Sequence, residues 1–197
     1  MIKIGIELNG VVRNINKQIL KYYQKDINPS LDIDEIDDTD DIFKYVNFNS
    51  KAEKNEFIYI DYPYEIFACA KPMDKNLPTE INNWMSEMTN IEDEEYVIGY
   101  FSLNEEALTI QSTYFFLSKI GTRVRYVIFP KDVNEIWENY DVIITSNNEI
   151  IKTKPSDKKV VKIINTENKD DDNASELLYN SLEEVINDNE FFEKIKK

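Results

Sequence analysis

Residues 2–8, Ile-Lys-Ile-Gly-Ile-Glu-Leu, form a β-rich apolar run that ends in an acid, an amide and a glycine at Glu7, Asn9 and Gly10. A strand that is apolar along most of its length is covered on both faces, as in the middle of a parallel sheet. Gly10 reads as the tight turn that ends it. Glu7 and Asn9, two residues apart, share one face of the strand's end. The chain therefore offers two polar side chains from the carboxyl edge of a buried strand.

The rest of the sequence alternates in the way such a strand requires. Asn14 is placed to cap a helix in which Ile15, Ile19, Tyr22 and Tyr23 share a face. Pro29 and the acidic stretch to Asp41 interrupt the pattern, and residues 28–95 read as an insertion. It holds aromatic segments at 57–60 and 62–67 and a short helix after Pro78, with Ile81, Trp84, Met85 and Met88 at helical spacing. That stripe reads as core rather than a ligand box. From residue 96 the spacing predicts a strand (96–101), a helix from Asn104 to Gly121, a strand (124–129) and a short helix carrying Val133, Ile136 and Trp137. A strand (141–145), a half-turn (147–151) and a strand (160–164) follow. Ser175 then caps a last helix with Leu178, Leu182, Val185, Ile186 and Phe192 inward and Lys194, Lys196 and Lys197 at its negative end. Strands separated by helices predict an α/β fold, a mostly parallel Rossmann-like sheet flanked by helices. The expected division is a core of 1–27 and 96–197 with a small cap-like insertion, 28–95. Functional groups in such sheets collect at the carboxyl ends of the strands, which here carry Glu7 and Asn9, Ser102, Lys131, and Thr145 with Ser146.

Composition removes several chemistries. The 197 residues include no histidine, which excludes Ser-His-Asp and Cys-His nucleophiles and His-ligated zinc. The single Cys69 excludes an internal disulfide and thiolate zinc clusters, and fits a reducing, cytoplasmic setting. With four glycines there is no phosphate loop and no dinucleotide-binding fingerprint. No apolar run approaches the ~18 residues of a membrane span. A net charge of -15 without a dense basic patch argues against nucleic acid and anionic membrane as partners. The acidic runs 32–41, 92–95 and 170–172 read as solvated loops and helix ends rather than a buried metal site.

The strand-end set resembles the haloacid-dehalogenase-like (HAD-like) phosphatases, and among them the 5'(3')-deoxyribonucleotidase type. In that family the first strand ends in Asp-x-Asp-Gly-Val/Thr, where this chain has Glu7-Leu8-Asn9-Gly10-Val11. The family's second strand ends in Ser or Thr that holds phosphate, matched by Ser102 after Tyr100-Phe101. Its lysine is matched by Lys131 after Pro130. Its Mg²⁺-holding aspartate pair falls at Thr145 and Ser146, in a stretch from Asp141 to Ile151 that Lys154-Pro155 continues. The likeness runs through nearly the whole chain in order and spacing. Each residue also has an ordinary reading: Gly10 and Asn9 serve the turn, Ser102 caps the next helix, and Lys131 is a surface lysine.

The departures from the family decide the expected function. Glu7 keeps a carboxylate one methylene longer than the family nucleophile, and a displacement near 1 Å can cost on the order of a hundredfold. Asn9 can neither give nor take a proton, which removes a contribution of ~10²–10⁴. With Thr145 and Ser146 for the acids, one carboxylate of four remains for a cation that prefers carboxylate oxygens. The resemblance with these losses implies a pseudoenzyme that needs no cofactor: a binding or structural component that meets a protein partner or a second copy. The composition also resembles HAD-like proteins of tailed phages, which implies an assembly or virion part, in host cytoplasm or virion. Aromatics of the insertion, Tyr62, Tyr64 and Phe67, are the expected interface, with filling of the cap's own core as the equal alternative. The alternative is a divergent Mg²⁺-dependent phosphatase of nucleotides or other small phosphate esters.

Overall fold

A computed structural model describes residues 1–36, 42–89, 96–123, 125–166, 168–169 and 177–196, with the side chains of Met88 and Thr89 left aside. The elements in chain order are β1 (Ile2–Glu7), β2 (Arg13–Asn14), α1 (Asn16–Asp26), α2 (Lys51–Glu56), β3 (Lys71–Pro72), α3 (Leu77–Thr89), β4 (Tyr96–Phe101), α4 (Ala107–Ile120), β5 (Val127–Ile128), α5 (Val133–Asn139), β6 (Val142–Thr145), α6 (Asn148–Lys152), β7 (Lys159–Ile163), β8 (Leu177–Tyr179), α7 (Leu182–Asn187) and α8 (Phe191–Lys196). Much of the acidic runs (37–41, 92–95 and 170–172) and Ser175 lie outside the described residues.

Six strands form one parallel sheet in the order β5-β4-β1-β6-β7-β8. The first strand of the chain is central, paired in register with β4 from Ile2–Tyr96 to Glu7–Phe101 and with β6 on its other edge. Burial explains why these apolar runs become interior strands. Ile4, Ile6, Val142, Ile144 and Val161 turn to one face, under α3, α4, α7 and α8. Ile143, Val160 and Phe101 turn to the other, under α5 and α6. Gly5 and Gly99 are paired across β1 and β4, and a Cβ on either would stand 2.7 Å or 2.6 Å from the rings of Tyr140 and Tyr126. Those two rings stack on each other at 5.8 Å. The side-chain-free strip gives them a flat floor, and the Tyr140 hydroxyl closes the arrangement by donating to the Tyr100 carbonyl at 2.8 Å.

The sequence-based elements need four corrections. The last helix begins later and breaks in two: residues 177–179 are a sixth strand beside β7, and Leu178 is 55% exposed rather than inward. A three-residue edge strand is too short to show a period of two, and Leu178, Leu182 and Val185 mimic helical spacing. The helix start is Ser181, which accepts from the Glu184 amide in the Ser-x-x-Glu arrangement. Asp188 separates α7 from α8, accepting from the Tyr179 hydroxyl and from Lys194. Helix α4 starts at Ala107, because Asn104 takes a left-handed φ of 62° and turns the chain first. The third strand shortens to two residues at the sheet's edge. Asn14 accepts from the Lys17 amide, but Ile15 stands at the cap position of α1.

The insertion has its own apolar cluster, in which Ile19, Leu20 and Tyr23 of α1 meet Ile42, Val46, Phe57, Ile58, Ile66 and Phe67. Its aromatic stretches are two π-helical turns, Phe57–Asp61 and Tyr64–Ala68. It is tied back to the turn after β1 by the antiparallel pair β2 and β3 and by the Met73 amide donating to the Val12 carbonyl. Helix α3, within residues 28–95, packs against the sheet: Leu77, Ile81, Trp84 and Met85 join the main cluster beside Phe191 and Leu182.

Candidate functional site

Glu7 ends β1 and Thr145 ends β6, the strand beside it, so the sheet itself brings these side chains together. Both are buried. The Thr145 hydroxyl donates to Glu7 Oε2 at 2.5 Å, and the Ser146 amide donates to the same oxygen at 3.3 Å. Thr145 Oγ1 in turn accepts from the Asn147 amide at 3.0 Å. Burial pushes the Glu7 carboxyl up to about 7, and the hydrogen bonds from Thr145, Ser146 and Asn147 offset only part of that cost.

Asn9 and Ser102 belong to a second group, organised by a residue that sequence reasoning passed over. Arg13 is fully buried. Its guanidinium donates to Asn9 Oδ1 at 3.0 and 2.7 Å, to Thr113 Oγ1 at 2.6 Å, to the Phe67 carbonyl at 3.4 Å and to Glu105 Oε1 at 2.7 Å. It lies between the rings of Phe67 and Phe116, at 5.0 and 5.3 Å from their centres. Because arginine has donors only, Asn9 must turn its oxygen to Arg13 and its amide nitrogen to Ser102 Oγ, at 3.1 Å. Ser102 then sends its hydrogen to Glu105 Oε1 at 2.5 Å, and Thr113 sends its own to Oε2 at 2.5 Å. Apart from the N–H given to the Phe67 carbonyl, every hydrogen bond in the circuit leads from Arg13 to Glu105, and the pair is neutral as a whole. Nothing in a lone sequence marks Arg13 as buried, since arginine is seldom so unless paired. Glu105, three residues after Ser102 and read as a helix-opening acid, was its one available signal.

Glu7, Asn9 and Ser146 line one cleft of about 310 Å³, with Gly10, Asn14, Asn16, Asn147, Asn148 and Asn165 among the other walls. Gly10 has a φ of 81°, and a Cβ there would stand 2.7 Å from Ser146 Oγ, so the turn must be glycine for this wall to form. The loop after β7 is held against the cleft by Asn168, fully buried, whose amide donates to the carbonyls of Ser146 at 2.9 Å and Ile163 at 2.8 Å. Lys131 is elsewhere. It is exposed and borders a separate cleft of about 1010 Å³ with Lys51, Glu56, Tyr59 and Glu105. Of the described residues lining the smaller cleft, Glu7 is the one carboxylate. Among the described residues no three acidic, Cys or His side chains converge.

Of the expected interface residues, Phe67 is fully buried beneath Arg13 and is core. Tyr62 is half-buried, packed on Tyr22 and Phe57 at 5.1 and 4.8 Å. Tyr64 is 48% exposed and meets the equally exposed Phe115 of α4 at 5.5 Å. No helix among the described residues is long and apolar enough to cross a membrane. No protein-family model matches the chain, and a search of curated proteins finds no match.

Proposed function

We propose that this chain is a non-catalytic binding or assembly component built on a HAD-like scaffold. The observation that carries the reading is the closed circuit around Arg13. The hydroxyl that would hold a phosphate, on Ser102, is fully buried and gives its hydrogen to Glu105, while both ends of the Asn9 amide are engaged. A phosphate ester would have to displace Glu105 from Arg13, and Lys131 stands in another cleft. The polar groups of Asn9 and Ser102 are spent on the fold rather than turned toward a substrate.

The purified protein is therefore expected to leave p-nitrophenyl phosphate and deoxynucleotide monophosphates unhydrolysed with Mg²⁺ or Mn²⁺. The runner-up, a divergent phosphatase, draws on Glu7 and Asn9 sharing a cleft. Turnover within about a hundredfold of ordinary enzymes (~1–10³ s⁻¹), abolished by Glu7→Ala, would establish it and end the non-catalytic reading.

A partner or second copy would meet Tyr64 and Phe115, with Ile60 (67% exposed) and Leu108 (55%) as further exposed apolar side chains. Sedimentation should show self-association that Tyr64→Ala with Phe115→Ala removes while leaving the melting transition cooperative. A monomer at high micromolar concentration, or association that the double variant leaves intact, would place any contact elsewhere.

A further inference from the structure

Asn9-Gly10 is the one place in the chain where glycine follows asparagine. In such a pair the glycine nitrogen can close on the preceding carboxamide, because no Cβ obstructs its approach. The bond from Gly10 N to Asn9 Cγ forms, the Cγ–Nδ2 bond breaks, and the amide proton ends on the departing ammonia. Water then adds at either carbonyl of the cyclic imide and leaves aspartate or isoaspartate. Both reacting groups are held in this structure. Asn9 Oδ1 accepts twice from the Arg13 guanidinium, at 3.0 and 2.7 Å, and Nδ2 donates to Ser102 Oγ at 3.1 Å. The Gly10 amide donates to the Arg13 carbonyl at 3.0 Å, within a turn where Gly10 has a φ of 81°. A guanidinium on Oδ1 would by itself favour attack, since negative charge gathers on that oxygen. The restraint is positional. Gly10 must give up its acceptor and Nδ2 must leave Ser102, and attack of this kind depends steeply on alignment. Arg13 and Ser102 are fully buried, which keeps solvent from taking over these bonds.

We propose that Asn9-Gly10 is a deamidation site that the folded chain holds silent and that opening of the turn after β1 releases. Either product lacks Nδ2, so Ser102 loses the donor it accepts from. Isoaspartate also lengthens the backbone by one methylene at the end of the central strand. The turn there has no room even for a Cβ on Gly10, which would stand 2.7 Å from Ser146 Oγ. A chain that opens long enough to react is therefore marked and does not rebuild the circuit. The inference holds whether or not the protein turns over phosphate esters.

The test is peptide mass spectrometry of the whole chain aged in mildly alkaline buffer, native and in concentrated urea. Asn49-Ser50, exposed in the fold, serves as the reference. Reaction through an open state follows the population of that state. We expect the Asn9 rate, divided by the Asn49 rate, to be at least about tenfold lower in the native protein than in urea. Ser102→Ala, which frees one end of the carboxamide, should raise the native Asn9 rate about twofold to tenfold. Ile195→Val in the core of α8 should leave it unchanged. A ratio that falls less than tenfold overturns the inference. So does a Ser102→Ala rate equal to the parent's, or equal acceleration in both variants, which would assign the protection to the fold as a whole.

Discussion

Replacing Glu105 by alanine should lower the unfolding free energy by about 3–5 kcal/mol, the cost of leaving a buried charge unpaired. Glu105 and Arg13 are both fully buried at their side chains and 2.7 Å apart. Without the carboxylate, Arg13 keeps Asn9, Thr113 and Phe67 as acceptors but no compensating charge. Ser102 and Thr113 also lose the oxygen to which each gives its hydrogen. The double variant Arg13→Met with Glu105→Ala removes both charges, and should lose less than the two single variants Arg13→Met and Glu105→Ala added together, with a coupling of ~0.5–3 kcal/mol. Chemical denaturation of the four proteins checks this. A Glu105→Ala loss below about 1 kcal/mol, or strict additivity, would mean that solvent reaches the pair and that the circuit does not organise the strand ends.

The second large effect is a dependence on pH that disappears in Glu7→Gln. Unfolded, Glu7 releases its proton near 4.5; folded, it holds it to about 7. Between those values the folded state binds more protons, so stability falls as pH rises. The contribution is fully present below about 4.5 and gone by about 7. At roughly 1.4 kcal/mol per pH unit it amounts to about 3 kcal/mol. Glutamine keeps an acceptor for Thr145 and never ionises. Stability measured from pH 4.5 to 8 should therefore show Glu7→Gln gaining on the parent by about 3 kcal/mol across the window. Parallel curves for the two proteins would show that Glu7 ionises in the folded state as it does in water.

The strands that mattered most were the most legible. Residues 96–101 are predicted and observed as one strand, and β1, β6 and β7 fall within a residue of their expected ends. Long apolar runs bounded by turns leave few alternatives, and the parallel α/β arrangement follows from their alternation with helices. What the sequence concealed was either short or buried and polar. The strand at Leu177–Tyr179 has too few residues to carry a period. The π-helical turns at Phe57–Asp61 and Tyr64–Ala68 have an unfamiliar spacing, so an aromatic stretch that reads as interface buries Phe67 and leaves Tyr64 outside. At the strand ends, sequence could place Glu7 beside Thr145, since topology alone does that. It could not place Arg13, because a buried ion pair is written with the same letters as two surface charges. Lys131 shows the converse: sequence order put it with the other strand-end residues, and a turn at Asn104 and the short β5 left it in a different cleft.

The way Arg13 reaches into the insertion bears on how such a chain can change over generations. Its guanidinium takes one acceptor and one aromatic ring from Phe67, and Lys119 of α4 donates to Ala68 and Ala70 nearby. An insertion joined to its host only through two chain ends could be exchanged or lost as a cassette. Here a recombinant that trimmed the segment would strip cover from a cation in the interior. Arg13 would keep Asn9, Thr113 and Glu105 as partners but lose the Phe67 carbonyl and ring. Changes at positions 13 and 105 should therefore cost less once the segment is gone, so a single buried side chain couples the insertion to the strand-end circuit and weights the order in which substitutions are tolerated.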